Sequence, residues 1–333
     1  MLQALMHRIQ LERGLPEPPN PCEYFVSSIQ TTSPVPELTY YRQDMIGGTS
    51  TGGIIAVLLG RLRLSVEICL QLYASLSEEV FRNERWGWGI FQARFDHKIL
   101  ETFIIELLEK ITVDSPTRSI GMSVDIYGEA VAPLEAKKIM MYDSSPQACK
   151  VFVTATSLRD AQKGQPHLFR TYRGRGGRTN KDCRIWEAIR ATSAAPTFFD
   201  PIQIHDEIFV DGGFGSNNPV NFVYEEAREM WPDREVGCII SLGTGMPRVL
   251  SLHNPTLFDT RFPKNWVRVL ERTATECDTA HQDMLRKKEL RGKYFRFNVQ
   301  QGLQGVSLME WQKLGETASL TEAYVTHTLS IWN

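Results

Sequence analysis

Gly48-Thr49-Ser50-Thr51-Gly52 sets a serine between two glycines, a G-x-S-x-G pattern whose small residues permit a sharp strand-to-helix turn. Such a turn exposes the serine hydroxyl as a nucleophile at the positive end of the following helix. The backbone N–H of Thr51 then points at the oxygen of an attacked carbonyl. A phosphate-binding loop is a poorer reading, because no lysine follows the glycines. The plain structural alternative is a glycine-rich turn holding a buried serine.

A serine nucleophile needs a base. The histidines, His7, His97, His167, His205, His253, His281 and His327, have no persuasive setting. A Ser-Asp-His hydrolase also needs several strands ahead of its nucleophile, and the 49 residues before Ser50 leave too little chain for them. The strongest acidic candidate is Asp211 in EIFVDGGFGSNNPV, where an apolar run delivers an aspartate into Gly212 and Gly213, which allow close backbone approach. An aspartate in an ordinary turn is the alternative. An aspartate with a pKa near 3.9 is a weak base in water, so this role requires desolvation and proximity to Ser50.

The elements that must position these groups are partly legible. Leu2, Leu5, Met6, Ile9 and Leu11 have the spacing of an amphipathic helix. Met45 and Ile46 lead as a short strand into GGTSTGG, and IIAVLLGRL follows as a buried helix. Helical patterns run over Val66 to Arg82 and Lys98 to Ile111. The β-branched runs from Val151 and Val236 read as buried strands. Helices between buried strands predict an α/β fold with a mainly parallel sheet covered on both faces.

Composition narrows the function classes. The 333 residues carry 37 basic and 39 acidic side chains, a net charge of -2 that supplies no global field for nucleic acid or an anionic bilayer. No nucleic-acid partner is expected, and any membrane contact must be local. The six cysteines are scattered with no C-x-x-C pair, which argues against structural zinc and a disulfide framework; the N-terminal spacing of an amphipathic helix, unlike the continuous apolar run of a signal peptide, makes the cytoplasm the default compartment. The strongest apolar stretch, Ile54 to Leu59, falls far short of the roughly 20 residues that span a bilayer.

Four segments in order, GTSTGG at Gly48 to Gly53, RATSAAPTFFDP at Arg190 to Pro201, DGGFGSNNP at Asp211 to Pro219 and SLGTG at Ser241 to Gly245, resemble the patatin-like phospholipase family. The resemblance implies a three-layer α/β/α sandwich and a Ser-Asp dyad with Ser50 as nucleophile and Asp211 as base. It also implies ester-linked acyl lipids or phospholipids as substrates, met by peripheral membrane contact, with no metal or cofactor. Residues 1–221 would form the catalytic core, and 222–333 the C-terminal part of the same domain, with a strand at about 236–242 and then helices. The rival reading is a catalytically silent patatin-like interaction or signalling module, or a defective gene model.

Two departures bear on that rival. Patatin-like proteins begin with a strand and a D-G-G-G-x-R/K-G segment that supplies much of the oxyanion hole; this chain is expected to start after it, with Leu2 to Glu12 as the helix that follows. Losing oxyanion donors costs on the order of 10²- to 10³-fold in rate each. The 18 residues Val26 to Gln43 also separate Glu23-Tyr24-Phe25 from Asp44, where the family runs almost directly into the nucleophile strand. Their Val-Ser start and Gln end fit the coding of a short retained intron; an ordinary surface loop is the alternative.

Three other features have competing readings. Trp86, Trp88, Phe91 and Phe95 form either a lipid-facing surface or core. Arg173 to Arg178, with Lys181 and Arg184, is a basic glycine loop for headgroups or RNA, or a solvated loop. Lys287, Lys288, Arg291 and Lys293 read as the polar face of a helix.

Overall fold

The computed structural model describes residues 1–18, 45–85, 93–114, 136–145, 148–159, 165–174, 183–214, 216–245, 276–300, 302–303, 306 and 309–331. The Val26 to Gln43 insert, the strand half at Glu23 to Phe25, and Trp86, Trp88 and Phe91 lie outside these residues.

Helix α1 (Leu2–Arg13) packs Met6 and Ile9 into the core and ends at Gly14, whose φ of 62° suits a left-handed cap. Strand β1 (Met45–Thr49) feeds α2 (Thr51–Ala56), which continues through a π-helical turn at Val57–Arg61. Next come α3 (Val66–Phe81), capped by the Ser65 hydroxyl, and α4 (His97–Asp114). Strand β2 (Lys150–Ser157) is almost wholly buried, as its β-branched run requires. β3 (His167–Arg170), α5 (Ile185–Thr192), β4 (Ile202–Ile204), β5 (Glu207–Asp211) and α6 (Val220–Met230) follow. The chain then forms β6 (Ile239–Leu242), α7 over 276–286, β7 (Tyr294–Phe297) and α8 (Leu314–Ile331).

Alternation along β1 shows that helices cover both faces. A side chain at Gly47 would strike Val223 of α6, whereas one at Gly48, on the opposite face, would strike the backbone of α2. The result is the α/β/α layering expected from sequence. Among the described residues five strands form one mixed sheet, in which β1–β2 is a parallel pair and β2–β3, β2–β5 and β4–β5 are antiparallel, while β6–β7 form a separate parallel pair. The β4–β5 hairpin turns at His205-Asp206, with His205 at φ 53°, a connection too short for a parallel crossover.

The larger core joins β1, β2 and the helices α1 to α5, with Val57, Leu108, Val151, Val153 and Ile185 fully buried. Phe95 belongs to it, edge-on to Phe81 and stacked on Phe198, so its aromatic ring is core rather than lipid-facing. A second cluster packs Val220 of α6 against Ile239, Met284 and Tyr294.

One sequence expectation needs correction. Lys287, Lys288, Arg291 and Lys293 do not share a helix face, because α7 ends at 286, Lys288–Leu290 forms a 3-10 turn, and Gly292 reverses the chain at φ 72°. Of the basic glycine loop, Arg184 caps α5 with Glu187, and residues 175–182 lie outside the described set.

Candidate active site

β2 acts as the template. Thr49 at the end of β1 pairs with Thr154, and Asp211 at the end of β5 pairs with Ala155. β1 runs parallel and β5 antiparallel to β2, so the two strands run toward each other and end at neighbouring residues of β2.

Ser50 stands between β1 and α2 at φ 55° and ψ -128°, a strained conformation for a residue with a side chain, costing on the order of 1–3 kcal/mol. Its surroundings enforce it. The Ser50 carbonyl accepts from the N–H groups of Gly53 (2.8 Å) and Ile54 (3.1 Å), and its own N–H donates to Thr192 Oγ1 at 3.0 Å. Thr51 and Gly52 therefore supply the first N–H groups of the helix, beside the serine hydroxyl.

The hydroxyl Oγ of Ser50 donates to Asp211 Oδ2 at 2.6 Å. Asp211 Oδ1 accepts the Gly213 N–H at 2.7 Å, and the Asp211 N–H donates to the Ala194 carbonyl at 3.0 Å. Asp211 is 4% exposed. Burial raises its pKa to about 6, against the pull of the Ser50 hydroxyl and the Gly213 N–H, which favour the ionised form. A hydroxyl and a carboxylate in this contact can exchange a proton directly, and a pKa about 6 makes the carboxylate a far better acceptor than aspartate in water.

The sequence-derived residues thus converge on one place, with Gly48 in β1, Ser50 at the turn and Thr51 and Gly52 opening α2, opposite Asp211 at the end of β5 and Gly212 and Gly213 just after it. Histidine stays elsewhere in the described residues: His97 bonds Asp200 at 3.0 Å, and His281 bonds the Tyr294 hydroxyl at 2.9 Å. Among the described residues no cluster of His, Cys, Asp and Glu could hold a metal ion.

Sequence reasoning missed four supports. Thr49 Oγ1 meets Thr154 Oγ1 at 2.7 Å and donates to the Ser216 carbonyl at 2.8 Å, and Thr192 holds the Ser50 N–H. The available signal was a hydroxyl interrupting apolar runs, as at Thr154 in VFVTATS. Arg190 is buried between α4 and the β4 approach, donating to Glu101 (3.2 Å) and to the Asp200 carbonyl (2.6 Å).

Residues 36–224 match the pattern of Patatin, described as Patatin-like phospholipase. That match covers more than half of the chain, and the chain belongs to the patatin-like phospholipase family. It is 30% identical over 284 residues to the mouse (Mus musculus) protein named Calcium-independent phospholipase A2-gamma, an alignment covering 82% of this chain and 33% of the relative. The rat (Rattus norvegicus) protein of that name is 28% identical over 283 residues, with the same coverage. Phospholipase A I of Arabidopsis thaliana is 27% identical over 242 residues, 61% of this chain and 18% of that protein. The chain spans a third or less of the length of these relatives.

Proposed function

We propose that this chain is a lipid acyl hydrolase that cleaves ester-linked acyl chains from phospholipids through a Ser-Asp dyad. The 2.6 Å contact between the Ser50 hydroxyl and the buried Asp211 carboxylate carries this reading, and the phospholipase names of its relatives support the substrate class. Asp211 takes the Ser50 proton as Oγ attacks the ester carbonyl, and the Thr51 N–H faces the oxyanion. The proton on Asp211 passes to the leaving alkoxide, which departs as the lysophospholipid. Water, deprotonated by Asp211, then attacks the acyl-enzyme; the bond between the acyl carbon and Ser50 Oγ breaks, Oγ takes the proton back from Asp211, and the fatty acid is released. In this reading 222–333 completes the same domain, with Asn218 and Ser241 bonded across the boundary at 3.3 Å.

The test is incubation with phosphatidylcholine vesicles and with a fluorophosphonate probe. Free fatty acid and lysophospholipid should appear in equal amounts, and the probe should label Ser50. Catalysis needs ionised Asp211, so turnover should follow an acid limb with an apparent pKa about 6, falling roughly tenfold per pH unit below it. A limb near 4 would show that Asp211 is not desolvated in the working enzyme.

We assign the protein to the cytoplasm as a peripheral visitor to membranes; no helix among the described residues is long and apolar enough to cross one. Leu158 and Ile208 mark the contact. Both are nearly half exposed, and the Leu158 N–H donates to the Ile208 carbonyl at 2.9 Å. They stand three residues beyond the dyad along β2 and β5, roughly 10 Å at ordinary strand rise. Two side chains are too little for a stable protein interface, which buries about 1,200 Å² or more, but suffice to dip into a bilayer. Replacing both by serine should lower vesicle binding and vesicle hydrolysis about tenfold while leaving turnover of a soluble short-chain ester unchanged. Equal vesicle hydrolysis would remove this surface from the reading.

A further inference from the structure

We propose that Thr49 is a positioning residue whose buried hydroxyl sets the spacing between Ser50 and Asp211. The proposal rests on the reading of Ser50 as nucleophile and Asp211 as base. Thr49 precedes the strained serine and is itself buried. Its hydroxyl has one proton, and the Ser216 carbonyl can only accept, so that proton lies on the 2.8 Å bond to Ser216. Thr154 must then be the donor in the 2.7 Å contact between the two threonine hydroxyls.

This chain of bonds spans the gap between the two halves of the dyad. Ser216 closes the loop that follows the base, since its N–H donates to the Gly212 carbonyl at 2.8 Å. Gly212 in turn lies so close to Thr154 that a side chain there would overlap its hydroxyl and carbonyl. Thr49 therefore ties the last residue of β1 to the Asp211 loop on one side and to β2 on the other. Ser50 is held in a conformation that its backbone would relax out of, and relaxation would lengthen the contact with Asp211. A threonine-to-valine change nearly keeps the shape and removes the tether, leaving the Ser216 carbonyl and the Thr154 hydroxyl without that partner.

The experiment compares wild type, T49V, T49S and T154V by the rate of fluorophosphonate labelling of Ser50, by kcat and KM on a soluble short-chain ester, and by the acid limb of the pH profile. T49V should label about 30- to 100-fold more slowly, with kcat reduced to match and KM within about twofold, because misplacement of this kind costs up to about 10²-fold. Its acid limb should move to higher pH, since a longer Ser50 contact stabilises the ionised carboxylate less. T49S, which retains the hydroxyl, should return to within about threefold of wild type. T154V should be intermediate, as Thr49 keeps its bond to Ser216. T49V labelled at the wild-type rate with an unmoved limb would overturn the proposal, as would T49S as slow as T49V. If T49V does not fold, T154V decides, and wild-type labelling with an unmoved limb in that variant overturns it. Wild-type protein that never labels at Ser50 would instead sink the nucleophile reading itself.

Discussion

Ser50→Ala and Asp211→Asn should each reduce ester turnover by about 10⁴-fold or more, and the double variant should be no worse than either single. The two groups are the ends of one 2.6 Å hydrogen bond, so in the proposed mechanism removing either stops the same proton transfer and the losses do not add. The stability readout separates lost chemistry from lost structure. Asp211 has a folded pKa about 6, above its unfolded value near 3.9, so the native state binds more protons between those values. Its contribution to stability is therefore greatest below about pH 4 and is lost as pH rises through about 6, after which the buried charge costs about 3 kcal/mol. Asp211→Asn carries no such charge and should melt higher than wild type at pH 7 to 8 while remaining inactive. Turnover of a short-chain ester and thermal melts across pH 4 to 8 check both halves. Near-full activity in Asp211→Asn, with a histidine variant inactive, would show the dyad assignment to be wrong.

The second large effect separates two glycines that the motif treats alike. A Cβ on Gly48 would lie well under 3.0 Å from the Gly52 carbonyl and the Gly53 backbone, and a Cβ on Gly212 would lie equally close to Thr154. Backbone cannot yield cheaply, so Gly48→Ala and Gly212→Ala should each cost about 3 kcal/mol and displace one half of the dyad. A Cβ on Gly52 meets nothing within 4 Å, and alanine is the better helix former by up to about 1 kcal/mol. Gly52→Ala should therefore melt at or above the wild-type temperature. Its activity reports a different quantity, the room left for substrate beside the Thr51 N–H. Thermal melts of the three variants, with Ser50 labelling rates, make the comparison; a stable Gly48→Ala protein would mean that β1 and α2 can separate at the turn without penalty.

Much of the local structure was legible before any tertiary contact was known. The helices at Leu2–Arg13 and Val66–Phe81 follow from apolar spacing, and β2 follows from an apolar β-branched run. The turn at Ser50 is likewise local, because the glycine at Gly48 is what the close approach of β1 to α2 requires. Ser50 and Asp211 could be named from their residue types and flanking glycines. The strand ahead of Asp211 was visible as an apolar run, but its antiparallel partners on β2 and β4 were not.

Everything that makes those two residues a pair is long-range. Ser50 and Asp211 are 161 positions apart, Thr49 and Ser216 are 167, and Ser50 and Thr192 are 142. No local propensity encodes which strands meet at Thr154 and Ala155, or that the meeting buries one carboxylate and raises its pKa. Types and local spacing determine which groups the chain brings to a turn. The packing of β1 and β5 along β2 decides that a buried carboxylate meets the Ser50 hydroxyl, that a Cβ has no room at Gly48 but has room at Gly52, and that Thr49, Thr154 and Thr192 bond around the turn. Those outcomes depend on distances and desolvation that exist only once distant segments have closed on one another.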